Sequence, residues 1–591
     1  MMTLRRLTLT GVSALALAAS FQFTTGCRPK SETTDAVTAP QANEPEKFTA
    51  KLTEIEGVQM LYTLRHPKLI NQELDTLMTE IPEAALARMF LGNLAAFGYP
   101  EFSELAAGTN IGIAMLEVSE AELASGTPTL VGFAKLKEGG KIWKVLSQRG
   151  LALQKQGDWV LISPHADAFA KIKAPAAIIA QIEQPQDEEI RLWGRTSPAL
   201  LDRVKKAIIP QLETKLTSLT PEEKKAALAY VDVVWGYLAQ LHSGGGSFDL
   251  NNQGISIGYN GQFLPDSATG RFLRRDLGAS PKIAESVPAD GMITVLARQN
   301  IPGQVEFVSG LLDALIAVDY TPVASSLKTI KDTYLAFSKN NDGGAALSMN
   351  MTFPTDGKQP EVDMFGVYSG KFTEAQVLKV YQDTLDLSQK FTRIAAQAAT
   401  SFTPGAEFPQ IDQKLNENAL TIDGIKFGSV VSTTKINVLG QEQVTTTTQY
   451  FGVAAGNLVY STNEAALHAK LPAIVAQRKV ENPIKLTLKG DEMMAFAVHG
   501  EHLVEAVLTG VKLDRNDTDI QAQIKSLKDG YAAAEPIKAT LNTSQAKASV
   551  NVVIPYKFIA QSIRLGQFSS AHKVTAALDS ETSEPEVMEA K

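Results

Sequence analysis

A single cysteine, Cys27, stands in a chain of 591 residues. No intramolecular disulfide can therefore form, and no cage of thiolates can hold a metal. Basic charge is in short supply too, with 56 Lys and Arg against 64 Asp and Glu and a net charge of −8. Without a basic block the chain is a poor match for nucleic acid, or for anionic lipid bound through charge. Long apolar runs are missing beyond the N-terminus. The best candidate, residues 226–241, spans 16 residues and includes Asp232 and Gln240, short of the roughly 20 apolar residues a membrane span requires. No GxxxxGK[ST] phosphate loop or HExxH zinc motif occurs, and the GxSxG string Gly254-Ile255-Ser256-Ile257-Gly258 falls inside a hairpin-like strand pair rather than at a strand-to-helix elbow. Gly244-Gly245-Gly246 follows a helical pattern rather than linking a strand to a helix, so it is expected to be a hinge rather than a phosphate cradle.

What is present starts with an address. Arg5 and Arg6 precede an apolar segment from Leu7 to about Phe23, and small residues lead to Cys27, the pattern of an export signal over 1–26. Thr24-Thr25-Gly26-Cys27 resembles the lipobox of bacterial lipoproteins, with Thr24 where a leucine-like residue is usual. The resemblance implies cleavage before Cys27 and lipid attachment to its thiol. Ordinary signal peptidase cleavage is the alternative, leaving Cys27 idle or lost. Residues 27–47 are polar and rich in Pro and Thr, as a flexible tether would be. These features place the protein in the cell envelope, as a membrane-anchored lipoprotein facing the periplasm or the cell exterior.

The body of the chain reads as two tandem copies of one unit. At an offset of 234 residues Gly57 falls on Gly291, and the stripe Leu74, Leu77, Met78, Ile81 falls on Val308, Leu311, Leu312, Leu315. The same offset lays the alternating Ile111, Ile113, Met115 on Ala345, Leu347, Met349, and Gly132 on Gly366. A constant offset that keeps both a helical and a strand period indicates duplication. Further on, GDWVLISPHADAFAKI at 157–172 aligns without a gap on GNLVYSTNEAALHAKL at 456–471, now at an offset of 299. The second copy therefore carries an insertion at about 383–449. Thr373 and Gln376 form a capping-box pattern for a helix ending near Ser401, and TIDGIKFGSVVSTT and VTTTTQYFGV read as strands. Thr220-Pro221-Glu222-Glu223 opens a helix through Trp235 to Leu241, apolar on nearly all sides and expected to be covered by the sheet, a neighbouring helix or the other copy.

The expected architecture is α+β: two tandem homologous units of mainly antiparallel sheet with flanking helices. Their boundaries are 48–285 and 286–573, followed by a disordered acidic tail at 574–591. Val287-Pro288-Ala289-Asp290-Gly291 before an apolar strand resembles a recurring opening in bacterial envelope proteins that carry a domain of unknown function. That resemblance implies a layout and no activity.

Chemistry is sparse. Seven histidines, at 66, 165, 242, 468, 499, 502 and 572, leave a dispersed Ser/His/Asp triad open without selecting one. His499, His502 and Glu505 are the densest candidate metal ligands, with His502 and Glu505 sharing a helical face. Against them stands an ordinary polar helix start, so no metal and no cofactor is assigned. Asp514 to Asp519 resembles the beginning of a calcium loop but lacks its central glycine and closing glutamate. It reads as a loop whose Asp519 caps the next helix. Met349, Met351 and Phe353 alternate as a strand stripe facing the core. The function expected is a non-catalytic binding or scaffolding module. Its partners would be the membrane, through the anchor on Cys27, and an envelope protein or apolar ligand. A carrier of lipid or another apolar ligand, and a hydrolase with an unrecognised site, stand as alternatives.

Overall fold

The computed structural model describes residues 55–581 except 85–104, 106–108, 120–121, 123–126, 197, 217–218, 275–276, 353–360, 403–409, 439–440, 510, 512 and 514–515. The export signal, Cys27 and the tether lie outside these residues, as do Phe353, Asp514 and the end of the tail. Among the described residues no helix is long and apolar enough to cross a membrane.

The protein is α+β, with one antiparallel sheet of 18 strands. In chain order they are β1 (Val58–Leu64), β2 (Ile111–Leu116), β3 (Leu130–Ala134), β4 (Ala152–Gln156), β5 (Trp159–Ser163), β6 (Ile190–Arg195), β7 (Leu241–Asn251), β8 (Gly254–Phe263) and β9 (Ile293–Arg298). There follow β10 (Asn341–Thr352), β11 (Glu361–Gly370), β12 (Gln410–Ile422), β13 (Ile425–Val438), β14 (Gln441–Ala454), β15 (Asn457–Ser461), β16 (Glu492–Val498), β17 (Ile537–Ser544) and β18 (Lys547–Ile554). Their pairings run β4-β5-β3-β2-β1-β6-β7-β8-β18-β17-β16-β9-β10-β11-β15-β14-β13-β12. The halves meet at β8–β18, where Tyr259 lies opposite Val550.

The helices are α1 (Pro67–Glu80), α2 (Lys141–Gln148), α3 (Pro175–Ile182), α4 (Pro198–Lys215), α5 (Pro221–Leu238), α6 (Ala268–Leu273) and α7 (Ile301–Ile316). The rest are α8 (Thr321–Ser338), α9 (Glu374–Phe402), α10 (Glu464–Val475), α11 (Gly500–Thr509), α12 (Thr518–Ala532) and α13 (Tyr556–Glu581). Local chemistry starts several of them. Thr220 and Glu223 close a reciprocal capping box on α5, and Thr373 with Gln376 does so at the start of α9. Asp517 rather than Asp519 caps α12, accepting from the amides of Asp519 and Ile520. Good helix formers carry α13 through Ala576, Ala577 and Leu578 to Glu581, so the stretch read as a disordered tail from 574 begins as helix.

Alternation along the strands sends apolar side chains to both faces near the ends of the sheet, and helices cover them there. On one face, Phe133, Leu161 and Trp193 pack beneath α3, and Val367 and Val459 beneath Leu467 and Leu471 of α10. On the other, Phe451 and Tyr460 pack with Phe337 of α8 and Val377 of α9. Met349 and Met351 belong to β10, where Met349 pairs with Met364, itself packed against this core.

Two further expectations change. Gly244, Gly245 and Gly246 are no hinge: they lie inside β7, paired to β6 and β8. The reason is Trp193, whose ring occupies the space a Cβ at Gly245 would need. Helix α5 ends at Leu238, three residues early, and is less covered than its composition suggested. Only Ala226 is fully buried, and Leu238 is 55% exposed. Its contact with the second half runs through Tyr237, whose ring stands edge-on to Phe307 of α7 at 5.4 Å.

Candidate functional site

Two recesses of the described surface lie along one groove between α8 and α9. They have volumes of about 330 and 280 Å³ and share Thr329. Small hydroxyl residues on α8 at a seven-residue spacing, Ser326 and Thr333, keep one helical face and meet charged pairs on α9. Ser326 is buried, 5% exposed. Its hydroxyl donates to the Asp386 carboxylate at 2.6 Å and accepts from the Lys390 ammonium at 2.6 Å, while Lys390 also reaches Asp386 at 2.7 Å. Toward the start of α9, Thr333 donates to Asp383, which pairs with Lys379 at 3.0 Å. The Lys390 hydrogen bond, then that of Ser326, holds the Asp386 carboxyl below the usual range for an aspartate.

A serine beside a lysine suggests a nucleophile and its base, but the third member decides the chemistry. A base must accept the serine proton, and Lys390 is instead placed as a donor to both Ser326 and Asp386. The same carboxylate holds the serine proton. The triangle is a closed set of charge-assisted hydrogen bonds that ties α8 to α9 and leaves a polar groove above it.

A second polar cluster lies at the other end of the chain's packing, where α13 meets the first half. Glu189 is fully buried between β6 and β7, and one carboxylate oxygen accepts from the Leu250 amide at 2.7 Å. The other has no hydrogen-bond partner among the described residues, as is true of the nearby Tyr556 hydroxyl. Burial pushes the Glu189 pKa up to about 8. Arg65 stands 3.6 Å away, but it also binds Glu73 and the Asp187 carbonyl, so desolvation wins.

Two of the residues singled out from sequence, His499 and Glu505, find ordinary partners. The His499 ring lies 3.0 Å from the Thr294 hydroxyl, its pKa lowered by burial. Glu505 forms an ion pair with Lys528 of α12. Among the described residues no group of three or more His, Cys, Asp or Glu side chains is placed to hold a metal. His66 is the buried histidine of note: its Nδ1 accepts from the Lys68 amide and caps α1. Sequence reasoning passed over the α8–α9 groove altogether. Its signal was the pair of i,i+4 lysine–aspartate contacts within the helix opened by Thr373.

No family model, no curated protein and no solved structure matches the chain.

Proposed function

We propose that this chain is a lipid-anchored protein of the bacterial cell envelope, facing the periplasm or the cell exterior. It acts as a non-catalytic binding or scaffolding module built from two tandem homologous units, 48–285 and 286–573. The observation that carries the reading is the order of the strands. From the β8–β18 seam outward, β8-β7-β6-β1-β2-β3-β5-β4 on one side is matched by β18-β17-β16-β9-β10-β11-β15-β14 on the other. His66 and Asn300, 234 residues apart, cap the first helix of each half, and each of those helices has proline at one of its first two positions.

The helices that follow the seam strands also favour duplication, because each crosses to the opposite half. Phe272 of α6 packs on Phe307 of α7, and Tyr556 of α13 joins the core of Leu74 and Leu77 on α1. Such an exchange makes one rigid, two-sided platform out of two copies. The insertion lengthens α9 and adds β12 and β13, which is where the groove and an outer sheet edge arise. The serine, lysine and aspartate of the groove are held in structural pairs, which favours binding over catalysis.

Two measurements test the proposal. Fatty-acid labelling in cells should mark the protein at Cys27, and Cys27→Ser should release it from the membrane fraction. An unlabelled protein, with Cys27→Ser still sedimenting with membranes, would sink the anchor. A fluorophosphonate probe for activated serines should leave the purified protein unmodified. Modification that Ser326→Ala abolishes would make it a hydrolase.

A further inference from the structure

Strand β12 forms the outer edge of the sheet, and among the described residues it pairs with β13 alone. The β12–β13 hairpin closes through Asp423 and Gly424, both at positive φ, a two-residue turn whose flanking pair Ile422 and Ile425 is hydrogen-bonded. Alternation from Ile425 turns the backbone of Ser429, Val431 and Thr433 toward β12, opposite Asn416, Lys414 and Asp412. Beyond the register shift between Asn416 and Leu420, the even-numbered residues of β12 therefore bond to β13, and the amides and carbonyls of Ile411, Gln413 and Leu415 point outward. One hydrogen bond agrees with this count. The Gln413 carbonyl accepts from the Gln389 side chain of α9 at 3.2 Å, so it is open to a donor other than β13.

We propose that this edge is the site at which a second copy of the chain docks, β12 against β12 in antiparallel register centred on Gln413. The sequence of the edge is self-complementary in that register. Gln413 meets Gln413 of the second copy, Asp412 meets its Lys414, Ile411 meets its Leu415, and Gln410 meets its Asn416. Asp412 and Lys414 then form non-hydrogen-bonded pairs, the arrangement that brings side chains closest. Their residues are exposed in the single chain, so both are available for that pairing. Centring on Asp412 or on Lys414 instead would set like charges face to face, and so would a parallel arrangement. The register shift at Asn416 ends the pairable stretch, which fixes its length at residues 410–416.

The contact is isologous, each copy offering the same strand, and it closes after two copies. It joins two sheets edge to edge as β8 and β18 already join the halves of one chain. Strand addition supplies main-chain hydrogen bonds while the alternating side chains set partner and register. The proposal is independent of the lipid anchor and of duplication.

The test uses charge reversal in the full chain, followed by sedimentation equilibrium over a concentration series. Wild type should show a reversible monomer–dimer equilibrium. Asp412→Lys sets lysine against lysine twice across the two-fold axis and should weaken dimerisation by about tenfold. Asp412→Lys combined with Lys414→Asp restores opposite charges and should bring it back to within about threefold of wild type. Both residues are exposed, and an unchanged unfolding midpoint would show that each variant is folded. In a Cys27→Ser background, Gln413→Cys should form an intermolecular disulfide while Asp412→Cys does not, because only residue 413 meets itself. A folded wild type that stays monomeric, or dimers indifferent to Asp412→Lys, overturns the proposal.

Discussion

The ring of Trp193 lies against the backbone of Gly245 on the neighbouring strand, so closely that a Cβ on Gly245 would stand 2.4 Å from the indole Cε3. Gly245→Ala must displace a fully packed tryptophan or push β6 and β7 apart. Overpacking of this kind costs about 1–3 kcal/mol. At Gly246 a Cβ would find its nearest neighbours at 3.5 Å, an ordinary contact. Urea unfolding should therefore separate the two variants, with Gly245→Ala clearly destabilised and Gly246→Ala close to wild type. Equal effects would suit a hinge and count against this packing.

Glu189 gives the fold a pH dependence of known sign. The folded chain holds the Glu189 proton more tightly than the unfolded chain, with a pKa of about 8 against an ordinary value of 4.5. Its contribution is most favourable below pH 4.5 and is lost as the pH rises through about 8, by roughly 5 kcal/mol as an upper bound. Arg65, Glu73 and Asp249 face the same cluster, and the last two add to the penalty for ionisation. Glu189→Gln removes the titration, so its unfolding midpoint should vary less than that of wild type between pH 5 and pH 9. Parallel curves for the two proteins would refute the assignment.

Helix α5 should open before the core of the first half. It has one fully buried residue, Ala226, and an N-terminal capping box that carries much of its local stability. Thr220→Ala removes the cap at a cost of about 0.5–2 kcal/mol. Because the helix contributes little to either core, the loss should appear as faster amide exchange over residues 221–238, with the global midpoint nearly unchanged. A large global shift would mean that α5 is part of the cooperative core.

Legibility of this chain follows the distance over which each decision is made. The caps at Thr220 and Thr373, the strands of the insertion and the class of the fold are readable because their signals lie within a few residues. The glycine triplet misleads because its reason, Trp193, lies some fifty residues away. The alignment of 157–172 on 456–471 illustrates a subtler failure. It matches Gly157 to Gly456, but the two-residue turns are Gly157-Asp158 and Ala455-Gly456. Under the proposed duplication, strand order sets Leu161, opposite Phe133, against Val459, opposite Val367, one residue away from the sequence match. In a strand, one residue of slip exchanges the two faces, so glycines that mark similar turns can misplace every side chain after them. The groove is invisible in the sequence because Ser326 and Lys390 lie 64 residues apart on helices whose packing no local pattern specifies.

That groove carries the last prediction. If the Ser326, Asp386 and Lys390 triangle is a structural tie, its removal must cost stability. Ser326→Ala deletes a buried hydroxyl that both donates and accepts, at a cost of about 1 kcal/mol. Asp386→Asn should cost no more than about 1 kcal/mol, since the Asp386 side chain is 53% exposed and solvent screens its pair with Lys390. The double variant should lose less than the sum, because the partners share one hydrogen bond. The carboxyl pKa is lowered in the folded chain, so Asp386 stabilises above its unfolded value near 3.8 and ceases to do so as the pH falls below it. The gap between wild type and Asp386→Asn should therefore be present at pH 7 and shrink toward pH 3. Guanidinium unfolding at the two pH values measures it. A groove whose side chains serve a reaction instead predicts variants with unchanged stability, because functional groups are seldom placed for the good of the fold.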